Sequence, residues 1–131
     1  MIFVGTDIVP IIRIENLIKK KGEHFLNHVY TKLEQNLCDV KYSPFIHYSG
    51  KFAAKEAVMK ALGTGTRGVR WKDVEIIRFP GNAPIINLHS SALKRANQIG
   101  VKHFALSLSH SKEYAVASVV GESSLGNRLD D

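Results

Sequence analysis

Two charged side chains in the middle of the sequence are placed to act together. Glu56 and Lys60 lie four residues apart in the stretch FAAKEAVMKALGTG, residues 52–65. If this stretch is helical, the spacing directs both side chains to one side of the helix, within an otherwise mostly apolar arc. A carboxylate and an amine in such an arc could form part of a site. The same spacing also fits an ordinary surface ion pair, which stabilises a helix by about 0.2–0.5 kcal/mol.

A glycine loop follows this pair directly. Gly63 is expected to end the helix in a left-handed conformation, because glycine has no Cβ to oppose it. The backbone N–H groups of Thr64 and Gly65 could then face an anion. Many helices end in glycine, so the loop alone does not identify a site.

Two further polar residues stand near predicted strand ends. Asp7 interrupts the apolar run 2–9, and it could either cap the helix that follows Pro10 or act as a ligand. His110 ends an alternating run beside the turn 111–113, where it could reach a cleft or remain an ordinary edge histidine. Cys38 has no neighbouring histidine, which favours a structural role. No histidines have the spacing of zinc ligands.

These residues need helices and strands to bring them together. Hydrophobic periodicity predicts an α+β fold in which helices pack on an antiparallel sheet. Thr31 with Glu34 predicts a capping box, while Ser43 before Pro44, and Ser90, predict two other helix starts. The predicted helices are 11–21, 25–29, 32–38, 44–62 and 91–99, and the predicted strands are 2–9, 74–79, 85–88, 103–110 and 114–120.

Composition limits the kind of protein this is. The chain has 131 residues, 44% of them hydrophobic, which suits one domain at residues 1–121 followed by a frayed polar tail at 122–131. A net charge of +6 predicts an acidic partner. One cysteine excludes an internal disulfide, and no apolar run approaches the roughly 20 residues of a membrane span. The start of the chain lacks signal-peptide features, so we expect a cytoplasmic protein that does not bind membranes.

Three fragments resemble one family in sequence and order. They are VGTDIV, GKFAAKEAVMKALGTG and SLSHSKEYAVASVV. The chain resembles the short bacterial holo-[acyl-carrier-protein] synthases, which are 4'-phosphopantetheinyl transferases, from residue 2 to about residue 120. The resemblance implies that the phosphopantetheine arm of coenzyme A is transferred to a serine of apo-acyl carrier protein. Adenosine 3',5'-bisphosphate is released, and the product serves fatty acid and lipid synthesis.

The resemblance also implies a Mg²⁺ cofactor and a homotrimer with active sites at subunit interfaces. Asp7 and Glu56 match the metal-binding acids of the family, and Lys60 matches the lysine that contacts the reacting phosphates. Glu56 or a metal-bound water would then deprotonate the carrier serine. The other matching positions are Gly63, Thr64, Gly65 and His110 for coenzyme binding, and Arg13 for the acidic carrier protein.

Some positions depart from the family pattern. Lys51 stands where an arginine is usual, and it keeps the charge but loses bidentate geometry. Glu23, His24 and His28 occupy a segment in which the family usually has arginines. Carrier binding is therefore expected to depend more on the other cations near the first helix, which are Arg13, Lys20 and Lys21.

Two other functions fit the composition. A basic α+β domain could bind nucleic acid, but that would need exposed aromatic side chains among the cations. Phe52 and Phe104 instead lie on faces predicted to pack in the core. A non-catalytic interaction subunit of the same fold is disfavoured because Asp7, Glu56 and Lys60 occur together. We therefore expect an enzyme that does not act on nucleic acid.

Overall fold

The computed structural model describes residues 1–123 of the chain. These residues form five α-helices and five β-strands, with a short 3₁₀ turn at Trp71–Asp73. The helices are α1 (Ile11–Lys21), α2 (Glu23–Val29), α3 (Lys32–Asp39), α4 (Pro44–Ala61) and α5 (Ser90–Ile99). The strands are β1 (Ile2–Pro10), β2 (Val74–Ile77), β3 (Ile85–Leu88), β4 (Val101–His110) and β5 (Tyr114–Ser123).

The strands form two antiparallel sheets. The larger sheet has the order β1-β5-β4, and β2 pairs with β3 in a separate hairpin. In the larger sheet Asp7 pairs with Ala117, and Ala117 pairs with Leu108 on the other side. Because paired residues share a face, one side of this sheet carries buried positions of β1 and β5, and the other faces outward. The predicted α+β architecture is confirmed.

Helix α4 lies on the buried face of the larger sheet. Most of its residues from Tyr48 to Ala61 are buried, so the helix is apolar nearly all round. It approaches β1 so closely that a Cβ on Gly5 would lie 1.7 Å from the carbonyl oxygen of Ala57. Glycine at this position therefore allows the contact that sets the distance between β1 and the second half of α4.

Several predicted boundaries and caps were wrong. Strand β2 ends at Ile77 rather than residue 79, and β5 continues to Ser123, so the predicted tail began too early. The rest of that tail, 124–131, lies outside the described residues. Strand β5 extends because Met1 and Ser123 exchange hydrogen bonds at its end.

Two of the three predicted caps fail. Ser43 makes no side-chain cap, although Pro44 does begin α4 as predicted. Ser90 is the first residue of α5 and not its cap, because the Asp73 carboxylate accepts from Ser91 N–H at 3.1 Å and satisfies that helix start from outside. The capping box of Thr31 and Glu34 is confirmed.

Candidate active site

Asp7 faces α4 because side chains along β1 point alternately to the two faces of the sheet. Gly5, Asp7 and Val9 are buried on the side that faces the helix, whereas their neighbours point outward. Asp7 lies inside the strand and does not cap α1, since the residue before that helix is Pro10 and no side chain caps it. Its side chain is only 10% exposed. A buried carboxylate without a capping role needs another partner.

Lys60 supplies one such partner from the last turn of α4. Its Nζ donates to Asp7 Oδ1 at 3.2 Å and to the Thr6 carbonyl oxygen at 2.9 Å. The alternative of a simple Glu56–Lys60 surface pair is therefore wrong, because Lys60 reaches across to β1. The other oxygen, Asp7 Oδ2, is buried and has no hydrogen-bond partner among the described residues. One carboxylate oxygen is thus available for a further ligand.

Glu56 completes the group one turn earlier on α4. Burial, and after it the neighbouring Asp7 carboxylate, raise the pKa of the Glu56 carboxyl to about 7, while the charges of Arg13 and Lys60 oppose the rise. When both carboxyl groups are ionised they repel each other, and a cation between them would remove the repulsion.

This pair has the donor set that Mg²⁺ prefers. The ion takes oxygen ligands and is usually held by one or two carboxylates plus substrate phosphates, with several waters. Among residues 1–123, no group of three or more His, Cys, Asp or Glu side chains is placed to hold a metal alone. Asp7 and Glu56, with the open Oδ2, fit a metal whose coordination a phosphorylated substrate completes.

Arg13 lies on α1 beside the acids. Its guanidinium carbon is 5.7 Å from the centre of the Phe52 ring, and its charge reaches Glu56. Phe52 stacks in turn on Trp71, with ring centres 4.8 Å apart. Lys20 and Lys21 are exposed in the last turn of α1. The three predicted carrier-binding cations therefore share one helix, but only Arg13 is close to the acids.

The glycine loop does not offer its backbone to an anion as predicted. Gly63 N–H donates to the Lys60 carbonyl, and Thr64 and Gly65 both donate to the Met59 carbonyl at 3.1 and 3.3 Å. These bonds end α4, and the left-handed φ of 75° at Gly63 agrees with the expected helix end. The loop can contribute to coenzyme binding through its shape, but these three N–H groups are already used.

His110 lies in a different part of the chain's surface. It borders a cavity of about 130 Å³ with His47, Lys51 and Arg78. His47 belongs to the first half of α4 and Glu56 to the second, about 14 Å apart along the axis at 1.5 Å per residue. Burial and the nearby cations lower the pKa of His47. His110 therefore joins a basic cluster, which the structure does not bring to Asp7, Glu56 and Lys60 of the same chain.

One polar cluster was not recognised from the sequence. Lys55 is completely buried and meets the Glu34 carboxylate at 2.8 Å, and its Nζ also donates to the carbonyls of Trp71 and Val74 at 3.0 and 2.5 Å. Glu34 additionally accepts from the Ile76 N–H at 2.8 Å. The available signal was a lysine inside an apolar helical arc. Its partner lies 21 positions away, and no pattern in the sequence indicates it.

Cys38 agrees with its structural interpretation. The side chain is buried, and burial is the main cause that raises the pKa of its thiol to about 12. A thiol that stays protonated at neutral pH is a poor nucleophile. Phe52 packs in the core as predicted and is 4% exposed, although Tyr42, Phe79 and Tyr114 are exposed aromatic residues.

Comparison with known proteins places this geometry in a family. Residues 3–119 match the model of the 4'-phosphopantetheinyl transferase superfamily. The chain belongs to this superfamily. It is 43% identical over 120 residues to a holo-[acyl-carrier-protein] synthase of Natranaerobius thermophilus, which covers 92% of this chain and 96% of that protein.

Solved structures of transferases from this superfamily have the same fold. The crystal structure of holo-[acyl-carrier-protein] synthase from Neisseria meningitidis superposes with a TM-score of 0.86 at 33% identity, covering 94% of this chain and all of that one. The Helicobacter pylori synthase in complex with coenzyme A gives a TM-score of 0.77 at 34% identity, covering 91% and 99% of the two chains.

Within residues 1–123, no helix has the length and apolar character that a membrane crossing needs.

Proposed function

We propose that this chain transfers the 4'-phosphopantetheine arm of coenzyme A to a serine of apo-acyl carrier protein. The products are holo-acyl carrier protein and adenosine 3',5'-bisphosphate. The observation that carries the proposal is the convergence of Asp7, Glu56 and Lys60, with one buried carboxylate oxygen left open. The names of the similar synthases, and the coenzyme A bound to one of them, support the choice of substrates.

Asp7 and Glu56 would hold a Mg²⁺ ion. When bound, the ion neutralises phosphate charge and polarises the pyrophosphate bond that is broken. The open oxygen of Asp7 and the second, partly buried carboxyl of Glu56 beside it both support a cation at this place.

Lys60 contributes a positive charge from the protein itself. Its side chain is 53% exposed, so its ammonium group can contact a phosphate while it remains bonded to β1. Charge that develops on the phosphoryl oxygens would be stabilised by this fixed ammonium group. Because the attacking hydroxyl belongs to the carrier, the chain needs no activated nucleophile of its own. The buried and protonated Cys38 is consistent with that division of roles.

We further propose a homotrimer whose active sites lie between subunits. His110 and its basic neighbours are separated from the acids of the same chain, so a neighbouring subunit is needed to bring both groups to one coenzyme. The outward face of the larger sheet supports this assembly, because several of its large apolar side chains are exposed. They are Ile2, Val4, Ile8 and Val120.

The remaining assignments follow from the same reaction. Arg13, Lys20 and Lys21 would attract the acidic carrier and mainly raise its rate of association. The glycine loop, Gly63 to Gly65, would border the coenzyme. The product would serve fatty acid synthesis, and the enzyme would work in the cytoplasm.

The test is the intact mass of an apo-acyl carrier protein after incubation with this protein, coenzyme A and Mg²⁺. We expect the carrier to gain one phosphopantetheine group, and we expect no gain in a parallel sample with excess chelator. A folded protein that modifies none of several carriers would contradict the proposed function. Equal modification in the chelated sample would contradict the metal assignment alone.

A further inference from the structure

One cavity lies outside the groups used so far. It has a volume of about 690 Å³ and lies between α2, the loop that follows α4 and the start of α5. Its wall includes His28, Arg70, Trp71, Lys72 and Asp73. None of these residues has a part in the reaction proposed above.

The wall of this cavity is positively charged. Arg70 and Lys72 are exposed, and neither forms an ion pair within residues 1–123. The one acid of the wall, Asp73, is already engaged, because its Oδ2 accepts from the hydroxyl and the N–H of Ser91 at 2.5 and 3.1 Å. The free charges therefore favour an acidic occupant.

Packing and hydrogen bonds fix Trp71 and the backbone of Arg70 in the wall of the cavity. Trp71 stacks on Phe52 with an angle of 22° between the rings, and its carbonyl oxygen accepts from buried Lys55 at 3.0 Å. The Arg70 N–H donates to Ser91 Oγ at 3.0 Å. Because these backbone groups are fixed in advance, binding a partner here requires little further ordering of the loop.

An aromatic pair links the wall of the cavity to the helix that carries Glu56. Phe52 lies one helical turn before Glu56 on α4, so the stacked pair of Phe52 and Trp71 leads from the acids to the cavity. Arg13 contacts the same Phe52 ring from α1. A protein that places a hydroxyl at Glu56 would therefore lie close to the partly exposed Trp71, and its surface would extend over Arg70 and Lys72.

We infer that the cavity receives acidic side chains of the carrier protein, with Arg70 and Lys72 as specificity-determining contacts. This inference rests on the proposed function, since it takes the carrier as the macromolecular substrate. It also supplies cations for a docking surface in which α2 carries Glu23, His24 and His28. Lys20 and Lys21, at the far end of α1, become secondary to Arg70 and Lys72.

The test is steady-state kinetics of the double variant Arg70→Glu/Lys72→Glu, with the carrier and coenzyme A varied separately. We expect the KM for the carrier to rise about ten-fold or more, because both contacts become repulsive. The KM for coenzyme A and the kcat at saturating carrier should stay within about two-fold, since neither residue contacts the reacting groups. Arg70→Gln/Lys72→Gln should show a smaller rise in the same constant.

The matched control is Lys94→Glu/Lys102→Glu, which changes the net charge equally at two exposed lysines that do not line the cavity. Its KM for the carrier should remain near the wild-type value. An equal rise in both double variants would overturn the inference, because overall charge would explain it. A rise in the KM for coenzyme A instead would assign the cavity to the coenzyme and also overturn it.

Trp71 offers a second measurement, because it is the chain's single tryptophan. A carrier that lacks tryptophan should protect Trp71 from acrylamide quenching in the wild-type protein but not in Arg70→Glu/Lys72→Glu. Absence of protection in the wild type would contradict docking at this cavity.

If the wild type transfers normally and the double variant keeps its KM for the carrier, only this inference fails. If the wild type transfers nothing, the proposed function fails as well.

Discussion

Lys55 and Lys60 lie five residues apart on α4, and each meets a carboxylate, but their surroundings differ. Lys55 is fully buried against Glu34, and every polar group of that pair has a partner. Lys60 is half exposed, and the Asp7 that it meets keeps one buried oxygen without a partner. We refer to these as the closed pair and the open pair.

The difference separates a structural role from a chemical one. A closed network leaves no donor or acceptor for a ligand, so it can only hold elements together. In this chain it joins α3, α4 and β2. An open carboxylate next to a second acid is unfavourable in the free protein and becomes favourable when a cation or substrate arrives. The same helix therefore carries a structural anchor and a candidate reacting centre one turn apart.

The largest effect should come from removing an acid of the open site. Glu56→Gln keeps the shape of the side chain but removes the charge that would hold the metal. We expect transfer to fall by at least about a thousand-fold. The urea midpoint should not fall, because repulsion with Asp7 is also removed. Near-normal activity in the intact-mass assay would exclude Glu56 as a metal ligand.

Breaking the closed pair should have the opposite effect, with a large loss of stability and little loss of transfer. Lys55→Met leaves the Glu34 carboxylate buried without its counter-charge, which should cost about 3–5 kcal/mol of the free energy of unfolding. Urea denaturation measures this loss. At low temperature, where the variant remains folded, kcat should be within a few-fold of wild type. A stable Lys55→Met protein with no transfer would assign Lys55 to the chemistry instead.

A substitution at Gly5 should lower both the stability of the fold and the rate of transfer. The added Cβ of Gly5→Ala would meet the Ala57 carbonyl oxygen at 1.7 Å, so α4 must move away from β1. Overpacking of this kind costs about 1–3 kcal/mol. Since the movement also separates Asp7 from Glu56, transfer should fall along with stability. Unchanged transfer would show that the spacing of β1 and α4 does not set the geometry of the acids.

The smallest effect concerns Glu75, at the edge of the closed network. Burial alone would raise the pKa of the Glu75 carboxyl, but hydrogen bonds from Thr31 and His89 and the charge of His89 outweigh it and hold the pKa below 4.5. Folding therefore lowers the pKa of Glu75. The ionised carboxylate stabilises the fold fully above the pKa of the unfolded chain, and this stabilisation is lost as pH falls through the pKa of the folded protein.

Glu75→Gln should therefore cost about 1 kcal/mol of the free energy of unfolding at neutral pH. The difference from wild type should shrink as pH falls below the ordinary range of a glutamate carboxyl and the wild-type carboxyl becomes protonated. Urea unfolding of both proteins across this range measures it. A difference that stays constant with pH would mean that the ionised form of Glu75 is not the stabilising one.

Local patterns predicted most of the fold. Helices α1 and α3 and strand β3 lie where periodicity placed them, because each has a one-sided apolar pattern that matches its period. The β4–β5 hairpin turns where predicted, but both of its strands are longer than predicted. The capping box of Thr31 and Glu34 was also readable, since both members lie within four residues. The caps expected at Ser43 and Ser90 failed because local sequence does not show what distant groups supply.

The site was only partly predictable for the same reason. The family motif indicated Asp7, Glu56 and Lys60, and the structure brings them together. The bond from Lys60 to β1, and the buried pairing of Lys55 with Glu34, depend on contacts between distant segments. The glycine loop was predicted as an anion site from composition, but its N–H groups are used to end the helix.

The most direct test of the distinction between the two pairs is the transfer rate of Asp7→Asn, measured by intact mass alongside its urea unfolding. This variant keeps the shape of the side chain but removes the carboxylate charge, which leaves the open oxygen unable to hold a cation and ends the ion pair with half-exposed Lys60. We expect transfer to fall by about a thousand-fold, with a free energy of unfolding equal to or above that of wild type. An Asp7→Asn protein that transfers normally, or one that loses its fold instead, would contradict the account.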